Sequence, residues 1–217
     1  MKLYGALLSP FVRKVAVAAA EKGMPWELAV TSPGGVDADF LKASPFGKIP
    51  AIVDGDFTLA DSSAIVHYLD AKQPAVPLIP AEAKARGQAV WFDEFADTVL
   101  GASGLKILFH RLVGPKLMKK PFDEAIAAEG EAELPRLFAY LESVVPAEGW
   151  LVGDFGLADI AVASTLRSMS YVGQLPPKDS YPATRAWYAR VTARASWQAV
   201  AVIEDKISAR IGIVSQD

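Results

Sequence analysis

The sequence predicts a small α/β domain followed by an all-helical one. Three observations carry this. Short strand-like runs alternate with helical patterns over the first eighty residues. Pro74, Pro77 and Pro80 then crowd residues 73–80. Every long periodic segment beyond that point has helical spacing.

In order, residues 2–7 read as a strand, and Ser9-Pro10 opens a helix running to about Lys22, where Gly23 stops it. Residues 26–30 form a second strand and residues 36–43 a helix closed by Ser44-Pro45. Residues 51–53 and 57–59 flank Asp54-Gly55, the strongest short-range hairpin signal in the chain. A helix over 62–72 completes a β-α-β-α-β-β-α unit, parallel in its first half and antiparallel in its second. The proline-dense stretch is too poor in backbone donors for a regular element and reads as a linker. The predicted units are therefore residues 1–76, a linker at 77–83 and a helical domain over 84–217. In the helical domain Ala89, Phe92, Ala96 and Val99 form one stripe of a helix over 82–100. Pro121 opens the next helix, which carries Glu133, Leu134, Leu137, Tyr140 and Leu141 toward Val145. Further helices are predicted over 157–171, 181–195 and 197–211.

The chain has 217 residues, 52% hydrophobic and 22% charged, with no cysteine and a net charge of −3. That is enough apolar material for a real core and excludes disorder. The absent cysteine removes disulfides, thiolate metal ligands and a cysteine nucleophile; it fits a reducing compartment. With 22 basic against 25 acidic residues, there is no electrostatic footprint for nucleic acid. No apolar run spans a membrane. The N-terminus imitates a signal peptide, but Pro10 interrupts the apolar stretch and Arg13-Lys14 charges it, so a cytoplasmic protein is expected. His67 and His110 are too few and too separate for a metal site, so no metal is expected.

Three short motifs sit where predicted strands give way to helices. Ser9 reads first as an N-cap with Pro10 at the first helical position; alternatively its hydroxyl and the helix N-terminus stabilise an anion such as a ligand thiolate, with Arg13 one turn on adding positive potential. Lys48-Ile49-Pro50 precedes a strand. A trans turn is the ordinary expectation, whereas a cis bond would present the Ile49 backbone to an extended peptide. Asp61-Ser62-Ser63 caps a helix, and the same residues can hold an amino-acid zwitterion, carboxylate on the helix amides and Ser62, ammonium on Asp61. Sequence order brings all three motifs to one edge of one sheet.

Four segments together resemble the glutathione S-transferase family over essentially the full length: residues 9–15 (SPFVRKV), 44–52 (SPFGKIPAI), 59–65 (LADSSAI) and 153–159 (GDFGLAD). The resemblance implies a thioredoxin-like domain joined to a helical one, assembled as a homodimer, with no permanent cofactor and glutathione as co-substrate. It implies that Ser9 hydrogen-bonds the glutathione sulfur and that Ile49, before a cis Pro50, pairs with the cysteinyl backbone. Lys48 would attract a carboxylate, and Asp61 and Ser62 would hold the γ-glutamyl end. Phe11 would line both the glutathione site and, with His110, the acceptor pocket between the domains. Two departures stand out. Asp61 replaces the usual Glu, leaving the ammonium contact about one methylene short. Gly156 replaces the Ser or Thr that begins the family's helix-capping box, with Asp159 still able to bond back. A serine where other members carry cysteine implies conjugation of a small hydrophobic electrophile. Isomerisation, dehalogenation and peroxide reduction use the same thiolate. A non-catalytic protein of this fold, used for binding or assembly, is the rival class.

Overall fold

The computed structural model describes residues 1–215. Strands β1 (Lys2–Gly5), β2 (Glu27–Val30), β3 (Ala51–Asp54) and β4 (Phe57–Ala60) form one sheet in the order β2-β1-β3-β4. β1 runs parallel to β2 and antiparallel to β3, and β3 pairs antiparallel with β4 through the Asp54-Gly55 turn, where Gly55 takes a φ of 68° that a side chain would resist. Helices α1 (Pro10–Glu21), α2 (Ala38–Ala43) and α3 (Ser62–Lys72) connect the strands in the predicted order. β1 stops two residues short of its predicted end, because residues 7 and 8 turn to aim the chain into α1.

The helical part begins with α4 (Ala83–Glu94), but the predicted stop near Leu100 does not occur. The helix continues through a wide π-type turn at Phe95–Leu100, α5 (Gly101–Leu108) and a second wide segment at Phe109–Met118. Gly104 within this run is a contact point, since a Cβ there would lie 2.8 Å from the Met169 sulfur. Pro121 does not open the next helix: α6 (Glu124–Val144) starts three residues later, capped by Asp123, whose side chain accepts from Ala125 N. The chain closes with α7 (Leu157–Ser170), α8 (Pro182–Thr192) and α9 (Ala195–Arg210).

α1 is buried along nearly its whole length, including the charged Arg13 and Lys14. One face packs on α3 and the sheet; the other packs on α7 and α9. A single apolar cluster therefore runs from Leu3, Val15 and Ile65 through to Leu100, Ile160 and Trp187. Where the linker meets α7, Leu157 N donates to Leu78 O at 2.8 Å. The fully buried Asp159 carboxylate accepts from Leu151 N (3.0 Å), Gly156 N (3.3 Å) and Trp187 Nε1 (2.8 Å). Burial raises its pKa despite these donors. Gly156 supplies no side chain to the capping box, and the reason is local: a Cβ there would stand 2.4 Å from Leu78 O.

Candidate functional site

Strand register places the three sequence motifs together. Tyr4 pairs with Ala51 and Ala51 with Ala60, so the end of β1, the start of β3 and the end of β4 lie in one row. Pro50 directly precedes Ala51 and Asp61-Ser62 directly follow Ala60, while Ser9 stands five residues past Tyr4, after the turn at residues 7 and 8. A cleft of about 770 Å³ opens there, lined by Phe11, Lys48, Ile49, Pro50, Asp61 and Ser62 on the sheet side and by Glu94, Asp97 and Thr98 on the helical side.

Ser9 is half-buried at the N-cap of α1 with extended backbone (φ −72°, ψ 128°), and its side chain makes no capping hydrogen bond. The capping role expected from sequence is thus not taken up, and the hydroxyl is uncommitted beside a helix N-terminus. The Ile49–Pro50 peptide is cis, not the trans form that the base rate favours. Among the described residues Ile49 N–H and C=O bond to nothing, while Ser44 Oγ fixes the preceding residue by accepting from Lys48 N (2.9 Å) and donating to Lys48 O (2.7 Å). Lys48 itself is exposed at the cleft.

Asp61 caps α3 through Oδ1, which accepts from Ala64 N at 3.0 Å, leaving Oδ2 available. Its φ of 81° is a strained conformation for a residue with a side chain, of the kind that surrounding structure must hold in place. Ser62 is buried, and its hydroxyl points into this set with no internal partner.

Sequence reasoning missed the charged cluster beneath the cleft. Lys14, buried on α1, donates to Asp93 Oδ1 (2.6 Å), Asp97 Oδ2 (2.7 Å) and Ser63 Oγ (3.3 Å), tying α1, α3 and α4 together. The wide turn after Glu94 brings Asp97 and Thr98 to the cleft wall; the signal was two acids four residues apart, Asp93 and Asp97, on one helical stripe. Burial pushes the Asp97 carboxyl up to about 6 against the opposing pull of Lys14.

Ser9 lies beside this cleft and is not among its lining residues, and two further expected residues are not brought to it. Arg13 faces away, into the helical domain, bonded to Glu204, Ser164 O, Ser168 and Leu7 O. Its charge is consumed by Glu204, so it adds no positive potential at Ser9. His110 accepts from Asp123 N at 3.0 Å and steadies the turn into α6. An apolar cluster does adjoin Ser9, but from other residues: Leu8 packs with Leu108, Leu112, Tyr171 and Ile213. Beside it lies a pocket of about 360 Å³ walled by Leu112, Tyr171 and residues 212–215. Among the described residues no cluster of His, Cys, Asp and Glu is arranged to hold a metal, and no helix is long and apolar enough to cross a membrane.

A thioredoxin-like domain with a cleft at its strand ends, closed on one side by a helical domain, defines the class of protein. Comparison with known proteins makes it specific. Residues 3–77 match the family model described as glutathione S-transferase, N-terminal domain, and residues 105–195 the corresponding C-terminal domain. Glutathione S-transferase 3 of Zea mays is 33% identical over 208 residues, covering 91% of each chain. FtsZ-localized protein A of Caulobacter vibrioides is 28% identical over 197 residues, covering 86% of this chain and 84% of its own. A crystal structure of a glutathione S-transferase from Rhodospirillum rubrum F11 superposes with a TM-score of 0.82 at 29% identity, covering 90% of this chain and 89% of that one. The chain belongs to the glutathione S-transferase family.

Proposed function

We propose that the protein is a serine-type glutathione transferase that conjugates glutathione to a small hydrophobic electrophile. The observation that carries this reading is the uncommitted Ser9 hydroxyl at the strand-end row where unpaired Ile49 backbone and the Asp61-Ser62 helix start converge. The γ-glutamyl carboxylate sits on the α3 amides and Ser62, and its ammonium faces Asp61 Oδ2, with Glu94 and Asp97 making that end negative. Ile49 pairs with the cysteinyl backbone and Lys48 draws the second carboxylate. The sulfur then lies toward Ser9, whose O–H donates to it. Hydrogen bonding to the charged form lowers a thiol pKa, and each unit is worth about 1.36 kcal/mol. The thiol proton leaves to solvent, the thiolate forms a C–S bond to the electrophile, and the electrophile's leaving group or added electron pair takes up the charge. The Leu8 cluster beside Ser9 forms the apolar wall for the acceptor, with Phe11 opposite.

The protein acts as a homodimer in this reading. Phe46, 89% exposed on the loop before Ile49, and the exposed Trp91 on α4 offer apolar contacts to a second copy.

Binding without chemistry is the second reading, favoured by the relative whose name records a localisation, not a reaction. Titrating glutathione into the protein and following thiolate absorbance against pH, for wild type and Ser9→Ala, separates the two. Transfer requires a lowered thiol pKa that Ser9→Ala raises. Binding with an ordinary thiol pKa leaves the binding reading standing.

A further inference from the structure

We infer that Ser168, on α7 of the helical domain, is a positioning residue for Ser9: together with Arg13 it fixes the two carbonyls that precede Ser9 and so sets where its hydroxyl points. The inference rests on the reading of Ser9 as the group that stabilises the glutathione thiolate.

All five N–H donors of the Arg13 guanidinium are assigned. Nε and one Nη2 proton grip Glu204 in a bidentate pair at 2.8 and 2.7 Å. The second Nη2 proton goes to Leu7 O at 2.6 Å, and the Nη1 pair goes to Ser164 O at 2.7 Å and Ser168 Oγ at 2.9 Å. Having accepted from Arg13, the Ser168 hydroxyl has one proton to give. Leu8 O lies 2.8 Å away and Ser164 O 3.3 Å, so the proton goes to Leu8 O. Arg13, Ser168 and Glu204 are all essentially excluded from solvent, so these bonds are neither screened nor exchanged for water.

The consequence for Ser9 follows from peptide planarity. Leu8 C=O and Ser9 N–H share one rigid plane. Ser168 holds its oxygen side and Ala6 O accepts from Ser9 N at 2.9 Å on the other, so the plane is pinned at both ends. The next plane is pinned too, because Ser9 O accepts from Arg13 N at 3.0 Å. What stays free is rotation about the Ser9 side-chain bond. The domains are held together by the shared apolar cluster and by the Arg13–Glu204 pair. The Ser168 bond reaches instead the short turn that carries Ser9, which is otherwise a connecting segment with the mobility such segments have. A misplacement of about 1 Å at a reacting group costs on the order of 10²-fold in rate.

The test uses full-length Ser168→Ala, Ser9→Ala, the double variant, and Ser164→Ala as a matched control. Ser164 lies one turn away on the same helix, and its buried hydroxyl bonds to nothing. Each is checked for native circular dichroism, then the thiolate absorbance of bound glutathione is followed against pH. Ser168→Ala is expected to move the bound thiol's midpoint up by about one pH unit, roughly tenfold less thiolate below both midpoints. Ser164→Ala is expected to follow wild type. In the Ser9→Ala background, removing Ser168 is expected to add nothing, because its effect passes through Ser9. A thiol midpoint that depends on Ser9 but not on Ser168 overturns this inference alone, as does an equal Ser168 effect with and without Ser9. A midpoint that Ser9→Ala does not move overturns the Ser9 reading and this inference with it.

Discussion

Replacing Gly156 by serine restores the residue that the family's capping box usually carries, and the structure makes the outcome unfavourable. The gains are modest. A serine cap improves on glycine by only a few tenths of a kcal/mol, and removing a glycine from the unfolded chain adds about 0.4–1 kcal/mol. Against this, the new Cβ would stand 2.4 Å from Leu78 O, where ordinary contact begins about 1 Å further out. The obstacle is main chain, not the end of a flexible side chain. Relief requires moving the linker away from α7, which lengthens the 2.8 Å bond from Leu157 N to Leu78 O, worth about 1 kcal/mol, and disturbs the buried packing of Leu78, at about 1–3 kcal/mol. The net expectation is destabilisation by about 1–3 kcal/mol. Urea unfolding of wild type and Gly156→Ser, followed by tryptophan fluorescence, reads this as a lower midpoint at unchanged slope. A midpoint equal to or above wild type would show that the linker yields freely, and the reasoning from Leu78 O would be wrong.

Two further expectations concern the cleft and its rim. Asp97 has a folded-state pKa near 6, above the ordinary 3.8, so between those values the native state holds a proton that the unfolded chain releases. Its contribution to stability therefore grows as pH falls from 7 to 4, and wild type should gain on Asp97→Asn over that range by about 1–3 kcal/mol, measured by denaturant titration at each pH; a constant difference would refute the raised pKa. Phe46→Ala should shift the protein from dimer toward monomer by light scattering at micromolar concentration while leaving the melting temperature of the monomer unchanged; a dimer that persists assigns the contact to another face.

Much of this was legible in the sequence because it is local. Asp54-Gly55 dictates the hairpin, and the register that follows brings Pro50 and Asp61-Ser62 to one end of the sheet. What escaped the sequence is set at long range. Arg13 sits one turn from Ser9 and reads as a free charge, but its partner Glu204 lies 191 residues away. Burial pushes the Glu204 carboxyl up, and the Arg13 and Arg167 guanidiniums beside it hold it below the usual range, so it stays ionised. Gly104 and Gly130 also act through partners distant in sequence. Their value is close approach of helices, a Cβ on Gly130 falling 2.6 Å from Ser103 O, and no propensity argument contains that information.

The path of α1 has an evolutionary consequence. Because this one helix belongs to both cores, and the turn that begins it is fastened by α7 and α9, the two halves of the chain are not exchangeable parts. A chimera that joined residues 1–76 to the helical half of a relative lacking Ser168 and Glu204 would keep Lys48, Ile49, Pro50, Asp61 and Ser62 and still lose the bonds that hold the turn before Ser9.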